Sequence, residues 1–193
     1  MTLFINSSPK LKSSNSDYFI NLLNINKKII NYIYKDDYST IKKNILLSDT
    51  IIFVFPTYVD IIPSKLIDFI EKYNGNFKNK NIYLIVNCGF LESKHNDLSI
   101  KYMNNYINKK SGNFKGYISI GSGEVIGICK KNKLLKLLCI NFFLKIKKFS
   151  KAINNSKSIE LNTNIKIFTK RLFCFICNKF WKKRIYNKKK SNR

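Results

Sequence analysis

The chain reads as a three-layer α/β protein, a five-stranded parallel sheet with helices on both faces. Three observations predict this. Short apolar runs alternate with segments of helical periodicity from residue 2 to about residue 130. The runs are too uniformly apolar for a sheet with one wet face, residues 50–55 (TIIFVF) most clearly, so the sheet is covered on both sides. The stretches that end the runs, SSPKLKSSNS, PTYVD, NCGF and GSGE, are polar and turn-forming. In such a sheet ligands bind beyond the carboxyl ends of the strands, near the point where strand order reverses. These four loops are therefore the candidate site.

Each element follows from its residues. Residues 2–6 (TLFIN) form an apolar run that ends in polar turn residues, the first strand. A loop over 7–14 leads to a helix over 15–25, with Tyr18, Phe19, Leu22 and Leu23 at helical spacing. Residues 28–34 (KIINYIY) form the second strand, and 37–48 a helix with Ile41, Ile45 and Leu46 inward. The third strand, 50–55, is stopped by Pro56. A helix over 63–73 begins with Pro63, where a missing N–H costs nothing. Residues 81–86 (NIYLIV) form the fourth strand, ending at Asn87-Cys88-Gly89, and 95–109 the next helix. The fifth strand, 116–120, ends in Gly121-Ser122-Gly123. Two helical stretches, about 132–153 and 165–186, and a solvated tail over 188–193 complete the chain.

At 193 residues and 45% hydrophobic composition, a single domain over 1–187 is expected, with 130–187 as its basic helical part. No apolar run reaches the ~18–20 residues that span a bilayer. Residues 1–6 lack a basic region, apolar stretch and cleavage site of a secretory leader. The expectation is a cytoplasmic protein.

Net charge is +25, unevenly spread. Residues 1–129 carry 16 Lys+Arg against 10 Asp+Glu; residues 130–193 carry 20 against 1. A basic block can attract an anionic membrane or nucleic acid. Lys, Asn and Ile are abundant throughout, as in an A/T-rich coding sequence, which weakens the charge as a sign of purpose. Residues 134–149 mix Leu, Phe, Ile and Cys with lysines, fitting a helix packed on the sheet, a dimer contact or a peripheral membrane contact. Nucleic acid is the weakest reading, because single-strand binders need exposed aromatics and here the core needs them.

Five Cys without a secretory leader do not describe a disulfide framework. Cys174 and Cys177 form a CxxC, the spacing of half a zinc site or a redox pair. With no second CxxC and Phe173, Phe175 and Ile176 around them, two small apolar residues on a helix fit better, and no metal is expected.

The loop SSPKLKSSNS offers hydroxyls and free N–H groups at a positive helix end, which suits a phosphate. It contains no Gly, so it is neither a dinucleotide fingerprint nor a Walker loop. An ordinary helix cap by Ser14 or Asn15 is the competing reading.

In order and spacing, SSPKLKSSNS, SDTIIFVFPTYVDIIPSKLIDFIEK, IYLIVNCGF and IGSGEVIG resemble the flavodoxin-like NAD(P)H-dependent oxidoreductases, above all the compact FMN reductase-like bacterial flavoproteins. The resemblance covers residues 1–130 and extends loosely to 168–189. It implies strand order 2-1-3-4-5, noncovalent FMN, NAD(P)H as co-substrate and a homodimer. The implied acceptor is a small molecule: a quinone, a nitro or azo compound, or a flavin. Ser8, Lys10, Ser14, Asn15 and Ser16 match the family's phosphate loop, although Ser7 stands where the family has Gly. Pro56, Thr57, Tyr58 and Val59 match the loop flanking the flavin ring, and Asn87, Cys88, Gly89 and Phe90 the third loop. A flavin needs N–H donors at one edge and an apolar wall, which Tyr58 and Phe90 could supply.

No acid–base or nucleophilic constellation competes with this. His95 stands alone, Asp60 and Glu124 form no carboxylate dyad, and Cys88 is a lone thiol. No catalytic side chain is expected where the flavin carries the hydride. The competing functions are a non-enzymatic flavodoxin-like module, and a basic scaffold on a membrane surface or nucleic acid.

Overall fold

The computed structural model describes residues 1–11, 13–129 and 139–164, together with Phe175, Asn178, Lys179 and Lys182. The elements are β1 (Thr2–Asn6), α1 (Asn15–Leu22), β2 (Lys28–Tyr32), α2 (Tyr38–Leu47), β3 (Thr50–Pro56), α3 (Ser64–Lys72) and β4 (Asn81–Asn87). A 3-10 turn (Ser93–Asn96) then leads into α4 (Asp97–Lys109), β5 (Asn113–Ile120), α5 (Gly123–Cys129), α6 (Ile140–Asn154) and β6 (Ile159–Thr163). The CxxC, the last predicted helix apart from four of its residues, and the tail lie outside the described residues.

The described strands form one parallel sheet in the order β2-β1-β3-β4-β5-β6. The apolar runs explain the layering. Adjacent residues of a strand point to opposite faces, so a run apolar at every position fills two cores. Leu3, Ile5, Ile51, Phe53, Phe55, Ile82, Leu84 and Val86 pack against α2, α3 and α4 through Ile41, Ile45, Leu66, Phe69, Met103 and Ile107. Phe4, Ile52, Val54, Tyr83, Ile85, Ile118 and Ile120 face the other way, onto α1, α5 and α6 through Phe19, Ile20, Ile126, Phe142, Ile146 and Phe149.

The sheet departs from expectation at one edge. The predicted order 2-1-3-4-5 is present, but a sixth strand extends it, so the sheet is six-stranded rather than five-stranded. β6 pairs with β5 from Gly116↔Ile159 to Ile120↔Thr163. Its sequence, IELNT, alternates half-buried Ile and Leu with exposed Glu and Asn, as an edge strand requires. The β4–β5 register shifts between Ile82 and Tyr83, so Lys115 is bulged out before Gly116. Gly116 has φ +124°, and a Cβ there would run into the Ile159 carbonyl, so only glycine lets β6 approach. Two helices also differ. The long helix expected over 132–153 spans Ile140–Asn154 among the described residues, and the loop after β5 turns at once into α5.

Candidate functional site

The carboxyl ends of β1, β3, β4 and β5 lie side by side, and the four polar loops meet there. The β1 loop is held at both ends. The Ser7 N–H continues the ladder onto Val54 O (2.8 Å), and the Ser8 N–H donates to Asn6 Oδ1 (2.9 Å). Ser8 Oγ accepts only a long bond from the Lys10 N–H (3.4 Å), and Lys10 itself is exposed. Ser13 takes a left-handed φ of 53° and turns the chain into α1.

Ser14 is the N-cap of that helix. Its Oγ accepts the Asp17 N–H (3.0 Å), while its own N–H and O–H donate to Asp17 Oδ2 (3.1 and 2.8 Å), a complete capping box. Asp17 also accepts from Asn6 Nδ2 (2.8 Å), which ties helix to strand. The polar groups of Ser14 are thus engaged in folding the turn. Asn15 opens α1 with its side chain against Gly127 of α5, where a Cβ would collide with the amide oxygen. Ser7 and Ser16 behave differently. Both are buried, and neither Oγ has a hydrogen-bond partner. Desolvation of a hydroxyl without compensation costs about 1–3 kcal/mol, and among the described residues Tyr106 on α4 and Thr163 on β6 carry the same cost. Ser7 lies at the end of β1 and Ser16 in the first turn of α1, where helix N–H groups also lack intrahelical acceptors.

The second loop is a tight hairpin. Tyr58 and Ile61 exchange N–H···O bonds (3.0 and 3.1 Å) across Val59 and Asp60, whose φ values are 51° and 62°. That turn prefers Asn-Gly, and a left-handed β-branched residue is strained. Val59 is 86% exposed, so neighbouring side chains do not compensate it. Other contacts hold the hairpin. Asp60 Oδ1 lies 3.1 Å from His95 Nδ1, and Ser99 Oγ donates to Asp60 O (2.9 Å). Tyr58 is exposed at the rim; partial burial, with Tyr34 and Glu124 nearby, holds its hydroxyl above the usual range.

The third loop sits on a satisfied polar network. Pro56 pairs with Asn87 at the end of the β3–β4 ladder, and the Thr57 N–H donates to Asn87 O (2.8 Å). Asn87 Nδ2 donates to Phe55 O (3.2 Å). Asn96, wholly buried, accepts from Thr57 Oγ1 (2.8 Å) and donates to Ser119 Oγ (3.0 Å), with longer contacts to Val86 O and Ile120 O. Cys88 is buried, with its Sγ against Phe90 O and Glu92 O, and burial raises its thiol pKa, which suits an inert residue. The backbone at Gly89 is open: a Cβ placed there would meet nothing within 4 Å. Phe90 is half exposed and lies over the His95 ring at 4.2 Å. Strand β6 closes the far side: Thr163 O accepts the Gly121 N–H and Asn164 Oδ1 the Ser93 N–H (both 2.8 Å).

The structure thus brings all three predicted loops to one edge, with Tyr58 and Phe90 as exposed aromatics. Sequence reading missed Ser7 as a buried hydroxyl and Asp17 as the partner of Ser14. The signal for the second was present, as Ser followed three residues later by Asp is a capping-box pattern. The Asp60–His95 pair joins residues 35 apart and carries no local signal. Among the described residues no group of His, Cys, Asp and Glu could hold a metal.

No protein-family model matches the chain, and no curated protein sequence matches it significantly. Solved structures do resemble it. The flavodoxin of Fusobacterium nucleatum bound to flavin mononucleotide aligns with TM-score 0.56 at 16% identity, covering 81% of this chain and 98% of that one. An NADPH-quinone reductase from P. pentosaceus aligns with TM-score 0.55 at 15% identity, covering 76% and 98%. The azoreductase AzrA aligns with TM-score 0.52 at 14% identity, covering 77% and 98%. At these identities the likeness establishes architecture: the chain has a flavodoxin-like fold, carrying one strand more than predicted.

Proposed function

We propose that the chain binds FMN at the carboxyl edge of its sheet and works as an NAD(P)H-dependent oxidoreductase on a small acceptor, a quinone or a nitro or azo compound. One observation carries this reading: the buried, unpartnered hydroxyls of Ser7 and Ser16 flank the β1–α1 loop. A phosphate there would accept from them and from first-turn N–H groups, in a helix end that favours negative charge. Ser8 and Lys10 add a weakly engaged hydroxyl and an exposed positive charge. Open backbone at Gly89, with the rings of Tyr58 and Phe90, fits a flat aromatic ligand. Neighbours that bind FMN, or are named as quinone and azo reductases, support the same reading.

Bound FMN supplies two-electron redox chemistry. This chain's residues bind and orient it. Pro56 and Thr57 fix the start of the ring loop through the ladder and Asn87 O. The Asp60–His95 contact holds the hairpin, and Phe90 stacks on that histidine at the rim. His95 is the one imidazole in the chain and stands 32% exposed beside the ring loops.

A second reading rests on Asp17. Its carboxylate engages Ser14 in the phosphate loop, where it repels a dianion, so a cofactor-free scaffold of the same fold is the competing form. Flavin content separates the two. Heat release of cofactor followed by an absorbance spectrum is expected to show about one FMN per chain after incubation with FMN at micromolar concentration, and NAD(P)H is expected to bleach it. Absence of uptake would overturn the FMN reading. Uptake without bleaching leaves an electron carrier in place of an NAD(P)H-dependent enzyme.

A further inference from the structure

We infer that the carboxyl-terminal part of the chain docks on an anionic phospholipid surface, with the exposed face of α6 as its contact. This goes beyond the flavin reading and does not depend on it. α6 turns Phe142, Ile146, Phe149 and Ile153 onto the sheet and leaves Ile140, Leu144, Lys147, Lys148 and Lys151 exposed. At 100° per residue, Ile140, Leu144, Lys148 and Lys151 run along one side of the helix. The outer stripe is therefore aliphatic at its start and cationic at its end. Ile140 and Leu144 are 55% and 61% exposed. Lys145 is different, since its Nζ bonds Asn162 O on β6. Among the described residues, no acidic side chain pairs with Lys147, Lys148 or Lys151.

An exposed apolar side chain spaced with lysines recurs further on. Phe175 is 66% exposed, and Lys179 and Lys182 are exposed four and seven positions later, at helical spacing. Charge complementarity names the partner. Residues 130–193 hold 20 basic residues and 1 acidic one. A/T-rich coding enriches Lys, but Asp and Glu codons tolerate the same bias, so it does not explain the loss of acids. Lipid is favoured over nucleic acid by the side chains. Aliphatic residues beside lysines insert between headgroups while the amines meet phosphates. Nucleic-acid surfaces favour Arg, whereas lysines dominate the block, and on α6 the exposed apolar side chains are aliphatic while Phe142 and Phe149 are buried. No helix among the described residues is long and apolar enough to cross a membrane, so the contact is with a surface.

Sedimentation of the full chain with vesicles tests this. Vesicles of phosphatidylcholine with added phosphatidylserine are expected to bind it, and phosphatidylcholine alone to bind at least tenfold less, since each lysine near an anionic surface contributes about a fivefold factor. The variant Lys147→Gln/Lys148→Gln/Lys151→Gln is expected to lose roughly 100-fold on the same basis. Ile140→Asn/Leu144→Asn, changed on the exposed side, is expected to weaken vesicle binding while leaving capture of a DNA duplex unchanged. Far-UV circular dichroism, read on each variant, shows whether the fold is kept. Equal binding to both vesicle types, or an aliphatic variant that is folded and binds as tightly as the parent, would overturn the proposal. So would a duplex that competes the vesicles away with the aliphatic variant unaffected, which would make the block a nucleic-acid surface.

Discussion

The loops after β1 and after β4 lie at the same edge of the same sheet and use the same residue types, Ser and Asn, yet they treat buried polar groups in opposite ways. In the β4 loop the groups are matched within the protein. Asn87, Asn96, Thr57 and Ser119 bond with one another and with the carbonyls of Phe55 on β3 and Ser93 in the 3-10 turn. In the β1 loop Ser14 is matched through its capping box, but Ser7 and Ser16 are left with buried, unpartnered hydroxyls. A satisfied network holds backbone in place and leaves its own side chains little to offer a ligand, so what this loop exposes is the backbone at Gly89 and the Phe90 ring. An unsatisfied one costs the free protein stability and gains from an external partner. On the proposed reading, the β4 loop is frame and the β1 loop receptor.

The largest effect should come from breaking the frame. Asn96→Ala takes the 2.8 Å acceptor from the Thr57 hydroxyl and the amide donor from Ser119 Oγ, and is expected to destabilise the protein by about 2–3 kcal/mol. Urea unfolding monitored by near-UV circular dichroism measures it. A loss under ~1 kcal/mol would mean the network is not holding the two loops together.

The receptor side should respond in ligand affinity. Ser16→Ala removes an unpartnered hydroxyl, so the cofactor-free protein is expected to change by under ~1 kcal/mol, or to gain slightly. FMN affinity should fall by about 1–3 kcal/mol, the range for hydrogen bonds to charged groups, and riboflavin affinity far less. Fluorescence titration of both ligands on the double variant Ser8→Ala/Ser16→Ala sharpens the contrast. A melting loss with unchanged FMN affinity would make these serines structural.

A satisfied hydroxyl at the opposite end of the sheet gives a control. Tyr83, wholly buried, donates to Lys157 O (2.9 Å), and burial pushes its pKa up to about 12 from 10.0. The folded state keeps this proton at a pH where the unfolded state has lost it. Stability from this group is therefore complete below pH 10 and falls as pH rises from 10 to 12, by up to about 2 kcal/mol. Unfolding midpoints across that range should drop less steeply for Tyr83→Phe.

The smallest effect concerns strain. Val59→Asn, at φ 51° in an exposed turn, is expected to stabilise the protein by about 0.5–1 kcal/mol, because Asn tolerates the left-handed region. Thermal melts of the cofactor-free form read this. If the same variant binds FMN as tightly as the parent, the strain belongs to the turn and not to ligand binding.

Much of this architecture was legible because runs such as TIIFVF are apolar at every position, and only a sheet covered on both faces can bury them. β6 was not, because IELNT has two apolar residues alternating with Glu and Asn, and an edge strand need bury little. The loops were placed correctly at one edge, since polar turns end apolar strands whatever their ligand. The roles inside them were less legible. Ser14 and Ser16 are the same residue type two positions apart, yet one caps α1 and the other is buried without a partner. Helix geometry decides which is which. The His95–Asp60 contact is set by where α4 starts relative to the β3 hairpin, and Val59 is left-handed because a tight hairpin forces it.

The strand order also has a temporal meaning. Once β3 has taken its place on the far side of β1, every later strand adds to the edge left by its predecessor, and none has to insert between two already paired. A chain released amino-terminus first can therefore extend its sheet outward in the order of its synthesis. The last described addition, β6, is admitted by the missing side chain at Gly116 and delivers Thr163 and Asn164 to the N–H groups of Gly121 and Ser93. On that schedule the β1 loop is complete early in synthesis, while the β4–β5 side of the rim stays open until about residue 164 has emerged.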